Sequence, residues 1–248
     1  MAYDKLPLLG ITSSEVKNIK NLYLNKKVPS FDNCFVCEGL WAAEKLVAHR
    51  LKIRMFLFCP DYIKTSVERA RVDLLISNAD SSFLISGKTC AKISDRDGAD
   101  GFFIVAEAKN HYLDDIELHE NMVIAILDGL EQPGNIGSII RSADCAGSSA
   151  VISINKKCKL THSRLVRSSL GASFTMPVID ADFNELINWL EINSFTVYLT
   201  DLSAAVNYYE PDYSGRIAIV AGNEFNGISN RWKKHNFCRP IIIPMFGE

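Results

Sequence analysis

The chain has 248 residues, of which 48% are hydrophobic and 23% are charged, and its formal net charge is -2. These values are typical of a globular protein with one large or two small domains, and they exclude a disordered chain, a collagen and a disulfide scaffold. The sequence contains neither a run of about 18 to 20 apolar residues, as a bilayer span requires, nor the basic-then-apolar start of a signal peptide. We therefore expect a cytosolic protein that does not bind membranes. The seven cysteines are an odd number, which favours reduced core residues over a disulfide framework.

The first half of the chain alternates between helical and β-rich patterns. An amphipathic helix is predicted near residues 13–25, and a closing strand is predicted at Phe102 to Ala106. Between them the sequence predicts a strand at FVCEG, a helix at GLWAAEKLVAHRL, a strand at IRMFLFCP, a helix near residues 61–71 and a further β-rich run at DLLISN. The alternation predicts a small α/β domain over residues 1–107, and the acidic segment that follows is typical of a linker over residues 108–120.

The second half, residues 121–248, shows the same alternation more clearly. Strands are expected at MVIAILDGL, SAVISIN, MPVID, FTVYLTDL, RIAIVAGN and RPIIIPM. Helices are expected at residues 134–145 and 162–170, at DFNELINWLEI and at ISNRWKKHN. Strands joined through helices pair in parallel, so this half is predicted to be an α/β domain with a parallel sheet.

Three segments of the second half carry candidate functional residues. The first, residues 127–147, runs from a strand end through a Pro-Gly turn into a helix and contains Asn135, Gly137 and Arg141. In the second, residues 218–229, two glycines flank Glu224 after a strand; the third is the final IIIPMFGE. Ligands of open α/β sheets bind at such strand ends. The glycine spacing fits neither a dinucleotide fingerprint nor a P-loop, which argues against a nucleotide-binding oxidoreductase.

In this order the segments resemble the three motifs of the SpoU/TrmH branch of the SPOUT superfamily. Motif one is Asn135-x-Gly137-x-x-x-Arg141, motif two is Gly222-x-Glu224-x-x-Gly227, and motif three begins at Ile243-Pro244-Met245. Members of this branch are S-adenosylmethionine-dependent RNA ribose 2'-O-methyltransferases with a trefoil-knotted α/β domain. Residues 1–107 are similar to the ribosomal-protein-like substrate-binding domain of the members that act on ribosomal RNA.

The resemblance also implies the roles of individual residues. It assigns catalysis to Asn135, Arg141 and Glu224, with Arg141 positioning the ribose or its phosphate. It assigns S-adenosylmethionine binding to Leu199, Thr200, Gly222, Ile243 and Met245. We predict RNA contacts from two basic groups, which include Lys26, Lys27, Lys156, Lys157, Arg164 and Arg167; a merely solvated face is the alternative for either group.

The implied substrate is structured RNA, with 23S ribosomal RNA favoured over transfer RNA, and the implied assembly is a homodimer. An antibiotic-resistance methyltransferase is a close sub-case. The family's motif three continues into a Ser-Leu-Asn stretch that completes the knot, whereas this sequence stops at Glu248, which favours a shortened chain with an incomplete knot. That departure supports an alternative function, a non-catalytic RNA-binding or ribosome-assembly protein of the same fold.

Other features point to packing. The Cys34-x-x-Cys37 pair has no second pair at zinc spacing, so we expect no metal site there. Core positions are favoured over base stacking for four aromatic residues, which are Phe31, Phe35, Trp41 and Phe56. For His162, RNA contact and ordinary surface exposure stay open. Trp232 with Lys233 and Lys234 is typical of an amphipathic helix.

Overall fold

A computed structural model describes residue 3, residues 5–94 and residues 98–245. The chain divides into two compact units. The first comprises Met1–Lys109 with Thr161–Gly171, and the second comprises Asn110–Leu160 with Ala172–Glu248. Within the described residues, no helix combines the length and the apolar character that crossing a bilayer requires.

The strands and helices of the first unit up to residue 107 are β1 (Leu8–Leu9), α1 (Ser14–Tyr23), β2 (Cys34–Glu38), α2 (Ala43–Ala48), β3 (Ile53–Phe58), α3 (Ser66–Asn78), β4 (Ser82–Ile85), α4 (Gly87–Ile93) and β5 (Phe102–Glu107). The strands form a five-stranded mixed sheet in the order β1-β4-β3-β5-β2. Strand β5 pairs antiparallel with β2 and β3, whereas β4 pairs parallel with β1 and β3.

The prediction of a β-rich run at DLLISN was wrong. These residues form the second half of α3, and the strand lies later, at β4. The helix also begins at Ser66 and not near residue 61, because the Thr65 side chain and Glu68 form a reciprocal capping box. Val72 and Leu75, three residues apart, are buried on one face of the helix. The burial of these two side chains on one face is the pattern of an α-helix that continues through DLLISN.

The strands and helices from residue 110 onward are β6 (Met122–Asp128), α5 (Pro133–Cys145), β7 (Ala150–Ile154), α6 (Ser163–Ser168), α7 (Ala172–Thr175), β8 (Val178–Asp180), α8 (Phe183–Ile192), β9 (Thr196–Thr200), β10 (Arg216–Gly222) and β11 (Cys238–Ile241). Of these, α6 belongs to the first unit. The six strands form the sheet of the second unit in the order β11-β9-β10-β6-β7-β8, and every pair in it is parallel, as predicted.

The core of the second unit lies on the parallel sheet. Strand β7 is buried along its whole length, as expected for a strand covered on both faces. Leu113 and Ile116, from the segment predicted as a linker, are buried in this core. The helix expected at ISNRWKKHN was wrong, because the chain forms only a 3-10 turn at Trp232–Lys234. The indole of Trp232 is fully buried, so this segment fills the core with one large side chain and needs no helical stripe.

Candidate active site

The carboxyl ends of four neighbouring strands meet at one edge of the second unit's sheet. Gly222 at the end of β10 pairs with Asp128 at the end of β6, and on the other side Thr200 of β9 pairs with Ile241 of β11. The segments that the sequence singled out follow these strand ends. Parallel topology therefore gathers them at one edge, where ligands of open α/β sheets bind.

Two of the predicted catalytic residues are in direct contact. Asn135, in the first turn of α5, donates a hydrogen bond from Nδ2 to Oε1 of Glu224 at 2.8 Å. Both side chains are exposed to solvent. The contact joins motif one to motif two across 89 positions of sequence. With its amide group directed to Glu224, Asn135 has a fixed orientation and offers Oδ1 as an acceptor.

The turn that carries Glu224 is held by Asn223. The Asn223 Oδ1 accepts hydrogen bonds from the backbone N–H groups of Phe225 and Asn226, both at 3.0 Å, and its Nδ2 donates to the Gly129 carbonyl at 2.9 Å. Asn223 and Gly227 also exchange backbone hydrogen bonds of 3.0 and 2.9 Å. These bonds fix the turn internally and attach it to the end of β6.

Glycine is required at position 222. A Cβ atom there would lie 2.3 Å from the Gly227 carbonyl carbon and 2.4 Å from the Ile228 nitrogen, far inside contact distance. Gly227 has a φ of +66°, in the left-handed region. The two glycines of motif two therefore allow the backbone of the turn to fold back into close contact with the end of β10.

Sequence reasoning missed the side chain that organises this edge, Asp128. It is 4% exposed; Oδ1 accepts from Asn155 Nδ2 at 2.7 Å, and Oδ2 accepts from the Ser229 N–H at 2.8 Å and from Trp232 Nε1 at 3.0 Å. One buried carboxylate thus attaches two later segments, at residue 155 and at residues 229–232, to the end of β6. The signal was present in the sequence as an acidic residue that closes an otherwise apolar strand.

The predicted cofactor residues lie along the same edge. Leu199 is buried, and the Thr200 hydroxyl donates to the Val220 carbonyl at 2.8 Å. Ile243 and Met245, beyond β11, are 53% and 72% exposed. The edge at β9 and β11 therefore presents main-chain groups and exposed apolar side chains.

Asp201 follows Thr200 directly and is strongly anchored. Its carboxylate accepts hydrogen bonds from Lys233 Nζ at 2.7 Å and from the backbone and hydroxyl of Ser203. The Lys233 contact, followed by the Ser203 bonds, lowers the pKa of Asp201 to about 2. The carboxylate is therefore ionised at neutral pH and fixes the chain immediately after β9.

Arg141 lies on the same helix as Asn135. It is exposed on α5, about 9 Å further along the helix axis than Asn135 at 1.5 Å per residue. The structure thus joins two of the three predicted catalytic side chains by a hydrogen bond, and the third, Arg141, is exposed on the same helix.

The predicted RNA-contacting residues divide between the two units. Lys26 and Lys27 follow α1 and are exposed, as are Arg164 and Arg167 on α6. Ser163 Oγ donates to the Tyr23 carbonyl at 3.3 Å, which ties the start of α6 to the end of α1 within the first unit.

The other two predicted RNA-contacting lysines lie after β7 in the second unit. Lys157 is exposed, and Lys156 forms an ion pair with Asp180. His162 caps α6, with its Nδ1 accepting from the Arg164 N–H at 3.1 Å.

The cysteine pair of β2 behaves as core. Cys34 and Cys37 are 4% and 2% exposed, and burial raises the pKa of both thiols, that of Cys34 to about 11. Such thiols are protonated at neutral pH, as is usual for cysteines packed in a core. Among the described residues, no cluster of His, Cys, Asp or Glu has the composition of a metal site. Phe35 and Phe56 are buried as predicted, whereas Phe31 and Trp41 are half-buried.

The model of the SpoU rRNA methylase family matches residues 122–248, slightly more than half of the chain. The chain belongs to the SpoU rRNA methylase family. A curated relative, the 23S rRNA (guanosine(2553)-2'-O)-methyltransferase RlmP of Bacillus subtilis, is 25% identical over 95% of this chain and 89% of that protein. The 23S rRNA (uridine(2479)-2'-O)-methyltransferase of Streptomyces viridochromogenes is 31% identical, over 58% of this chain and 52% of that protein.

Solved structures match both units of this SpoU family member. An AdoMet-bound rRNA methyltransferase from Sinorhizobium meliloti aligns with a TM-score of 0.84 and 26% identity, covering 97% of this chain and 89% of that chain. AviRb from Streptomyces viridochromogenes, a SpoU methyltransferase solved with AdoMet, has the same TM-score at 23% identity over 95% of this chain and 90% of its own, and shows the shared fold. The family and the α/β fold inferred from the motifs are confirmed.

Proposed function

We propose that this chain methylates a ribose 2'-hydroxyl of 23S ribosomal RNA with S-adenosylmethionine as the methyl donor. The observation that carries the proposal is the 2.8 Å contact between Asn135 and Glu224, which brings motif one and motif two together at the carboxyl edge of a parallel sheet. The RlmP relative supports 23S RNA as the substrate, and the Sinorhizobium structure supports the cofactor.

The residues along the sheet edge fit this cofactor. Because the Thr200 hydroxyl is bonded to the Val220 carbonyl, the end of β9 offers mainly main-chain groups to a ligand. Ile243 and Met245 offer exposed apolar surface of the kind that covers an adenine ring. When bound, S-adenosylmethionine supplies an electrophilic methyl group on a sulfonium. Leu199, Thr200, Gly222, Ile243 and Met245 would hold it.

The protein's part in the reaction is to place the ribose oxygen and to relieve it of its proton. S-adenosylmethionine held by these residues would supply the methyl group for a new O–C bond and lose its S–C bond, and the hydroxyl would lose its proton. Glu224 fixes the amide of Asn135, so that Asn135 Oδ1 accepts the hydrogen bond of the 2'-hydroxyl and orients its lone pair. Arginine stays protonated in proteins, so Arg141 acts by holding a phosphate, and a phosphate oxygen or water takes the proton. Positioning of this kind supplies most of the acceleration.

The first unit would bind the RNA. Its exposed lysines after α1 and its arginines on α6 lie on elements that touch through Ser163 and Tyr23, and such residues neutralise phosphates. Lys156 and Lys157 would add contacts from the second unit. The homodimer that the family resemblance implies is part of this proposal. Since ribosomal RNA is the substrate, the enzyme would act in the cytosol.

Nucleoside mass spectrometry tests this function. An unmodified transcript of 23S ribosomal RNA is incubated with the protein and S-adenosylmethionine, beside Asn135→Ala and Glu224→Ala. One new 2'-O-methylnucleoside from the wild type and little from either variant is the expected result. No methylation, together with no binding of S-adenosylmethionine by calorimetry, would favour the non-catalytic RNA-binding alternative. Sedimentation of the same protein tests the dimer.

A further inference from the structure

Phe225 occupies an unusual position for a phenylalanine. It follows Glu224 in the turn after β10, and its side chain is 91% exposed, the largest exposed fraction among the big apolar side chains in the described part of the chain. Turns of this kind are usually occupied by Gly, Asn, Asp or Ser, which solvate well. An almost fully exposed phenyl ring is unfavourable in water. Its position beside the candidate catalytic pair therefore suits a ligand that covers the ring when it binds.

The backbone beneath the ring is held by several hydrogen bonds. The Phe225 N–H donates to Asn223 Oδ1 at 3.0 Å, the Asn223 and Gly227 backbones bond to each other, and Asn223 Nδ2 reaches the Gly129 carbonyl. Only two side-chain torsions of Phe225 remain to be ordered when something binds. A ligand that contacts this ring therefore orders few torsions, and the loss of conformational entropy is small.

The neighbours of the ring identify the occupant. Glu224 holds Asn135, whose Oδ1 receives the target 2'-hydroxyl in the proposed function, and Phe225 is the next residue along the chain. In a nucleotide, the base is attached to the ribose carbon adjacent to the one that bears this hydroxyl. A ribose placed at Asn135 therefore brings its own base, or the next one, to the turn. Proteins that read RNA stack unpaired bases on aromatic side chains in this way.

We propose that Phe225 is a stacking platform for an unpaired nucleobase of the RNA substrate, at or next to the methylated nucleotide; this rests on the proposed function. The phenyl ring has no hydrogen-bonding group, so the contact holds the nucleotide without selecting which base it carries. Target selection must then come from other parts of the RNA.

The test compares Phe225→Ala, Phe225→Tyr and Phe225→Leu with the wild type. RNA affinity is measured by filter binding with the unmodified 23S transcript, KM and kcat by methyl incorporation, and S-adenosylmethionine affinity by calorimetry. Phe225→Ala is expected to raise the RNA Kd and KM about 5- to 150-fold, the range of base stacking on an aromatic side chain, with kcat and cofactor affinity nearly unchanged. Phe225→Tyr restores RNA affinity because it keeps the ring, whereas Phe225→Leu does not. Ile192→Ala is the matched control, since Ile192 is 80% exposed at the end of α8, and it should change none of these values.

Other outcomes refute the stacking role. An RNA Kd for Phe225→Ala within twofold of the wild type, while the wild type methylates, overturns this proposal alone. Full rescue by Phe225→Leu, or a loss of dimer mass in Phe225→Ala, assigns the ring to a contact between two copies of the chain. A weaker affinity for S-adenosylmethionine assigns it to the cofactor. If the wild type methylates no RNA, the proposed function fails first and takes this proposal with it.

Discussion

Replacing Asp128 by alanine should lower the free energy of unfolding of the second unit, mainly because hydrogen bonds are lost and not because apolar contacts are lost. The substitution removes the acceptor of three hydrogen bonds and leaves the Ser229 N–H and the fully buried indole N–H of Trp232 without their partner. Asn155 is exposed and can turn to water. With two donors left unpaired, we expect a loss of about 2–5 kcal/mol in the free energy of unfolding.

Asp128→Asn is the matched control. Its amide oxygen can take the place of Oδ2 and keep both the Ser229 and Trp232 bonds, while its amide group faces Asn155, whose own amide can rotate to present oxygen. The expected cost is therefore about 1 kcal/mol or less. Urea unfolding, followed by tryptophan fluorescence, measures both variants. If Asp128→Ala lost under about 1 kcal/mol, or if Asp128→Asn were equally damaging, the hydrogen-bond argument would be refuted.

Three further predictions concern Gly222, Asp201 and Arg141. Gly222→Ala places a Cβ 2.3 Å from the Gly227 carbonyl carbon, so the turn must move by about 1 Å and the methylation rate should fall about 100-fold. Gly87→Ala is the control, because a Cβ there would meet only an ordinary contact at 3.9 Å. Methylation rate and melting temperature are measured for both variants. Asp201 has a pKa lowered to about 2, so its contribution to stability is present above about pH 4 and is lost as the pH falls toward 2. The stability difference between wild type and Asp201→Asn should accordingly shrink over that range in pH-dependent unfolding. Arg141→Lys should lower kcat at least about 10-fold, because a lysine cannot hold a phosphate in two-point geometry; nearly full activity would exclude that role.

Most of the sheet of the second unit could be predicted from the sequence, because buried parallel strands are continuous runs of apolar residues. Each of its six strands overlaps a predicted segment, and their parallel pairing follows from the helical connections. Short elements escaped prediction. β1 has only two residues, and β4 was displaced by the apolar run that became the end of α3. Periodicity cannot separate a buried helical turn from a strand over six residues.

The candidate site was predicted as a set of residues and not as a geometry. Motif spacing identified Asn135 and Glu224, yet nothing in the sequence could show that they touch, because the contact spans 89 positions and depends on β6 and β10 being neighbours in the sheet. The same limit hid Asp128. Its three donors come from residues 155, 229 and 232, each distant in sequence, so only the folded chain reveals the carboxylate as an anchor.

The residues of this edge form two layers, an exposed outer layer and an inner layer that holds it in place. The side chains that would touch RNA or act on it, Asn135, Glu224 and Phe225, are exposed, and an exposed loop alone would leave them mobile. Asn223 bonds the turn to the end of β6, and the buried Asp128 clamps the segment that leaves the turn. Because these anchors act on backbone position, their loss should lower methylation through displacement of the exposed pair even where the protein still folds. Activity should therefore be more sensitive than stability to substitutions that loosen the turn without unfolding the sheet.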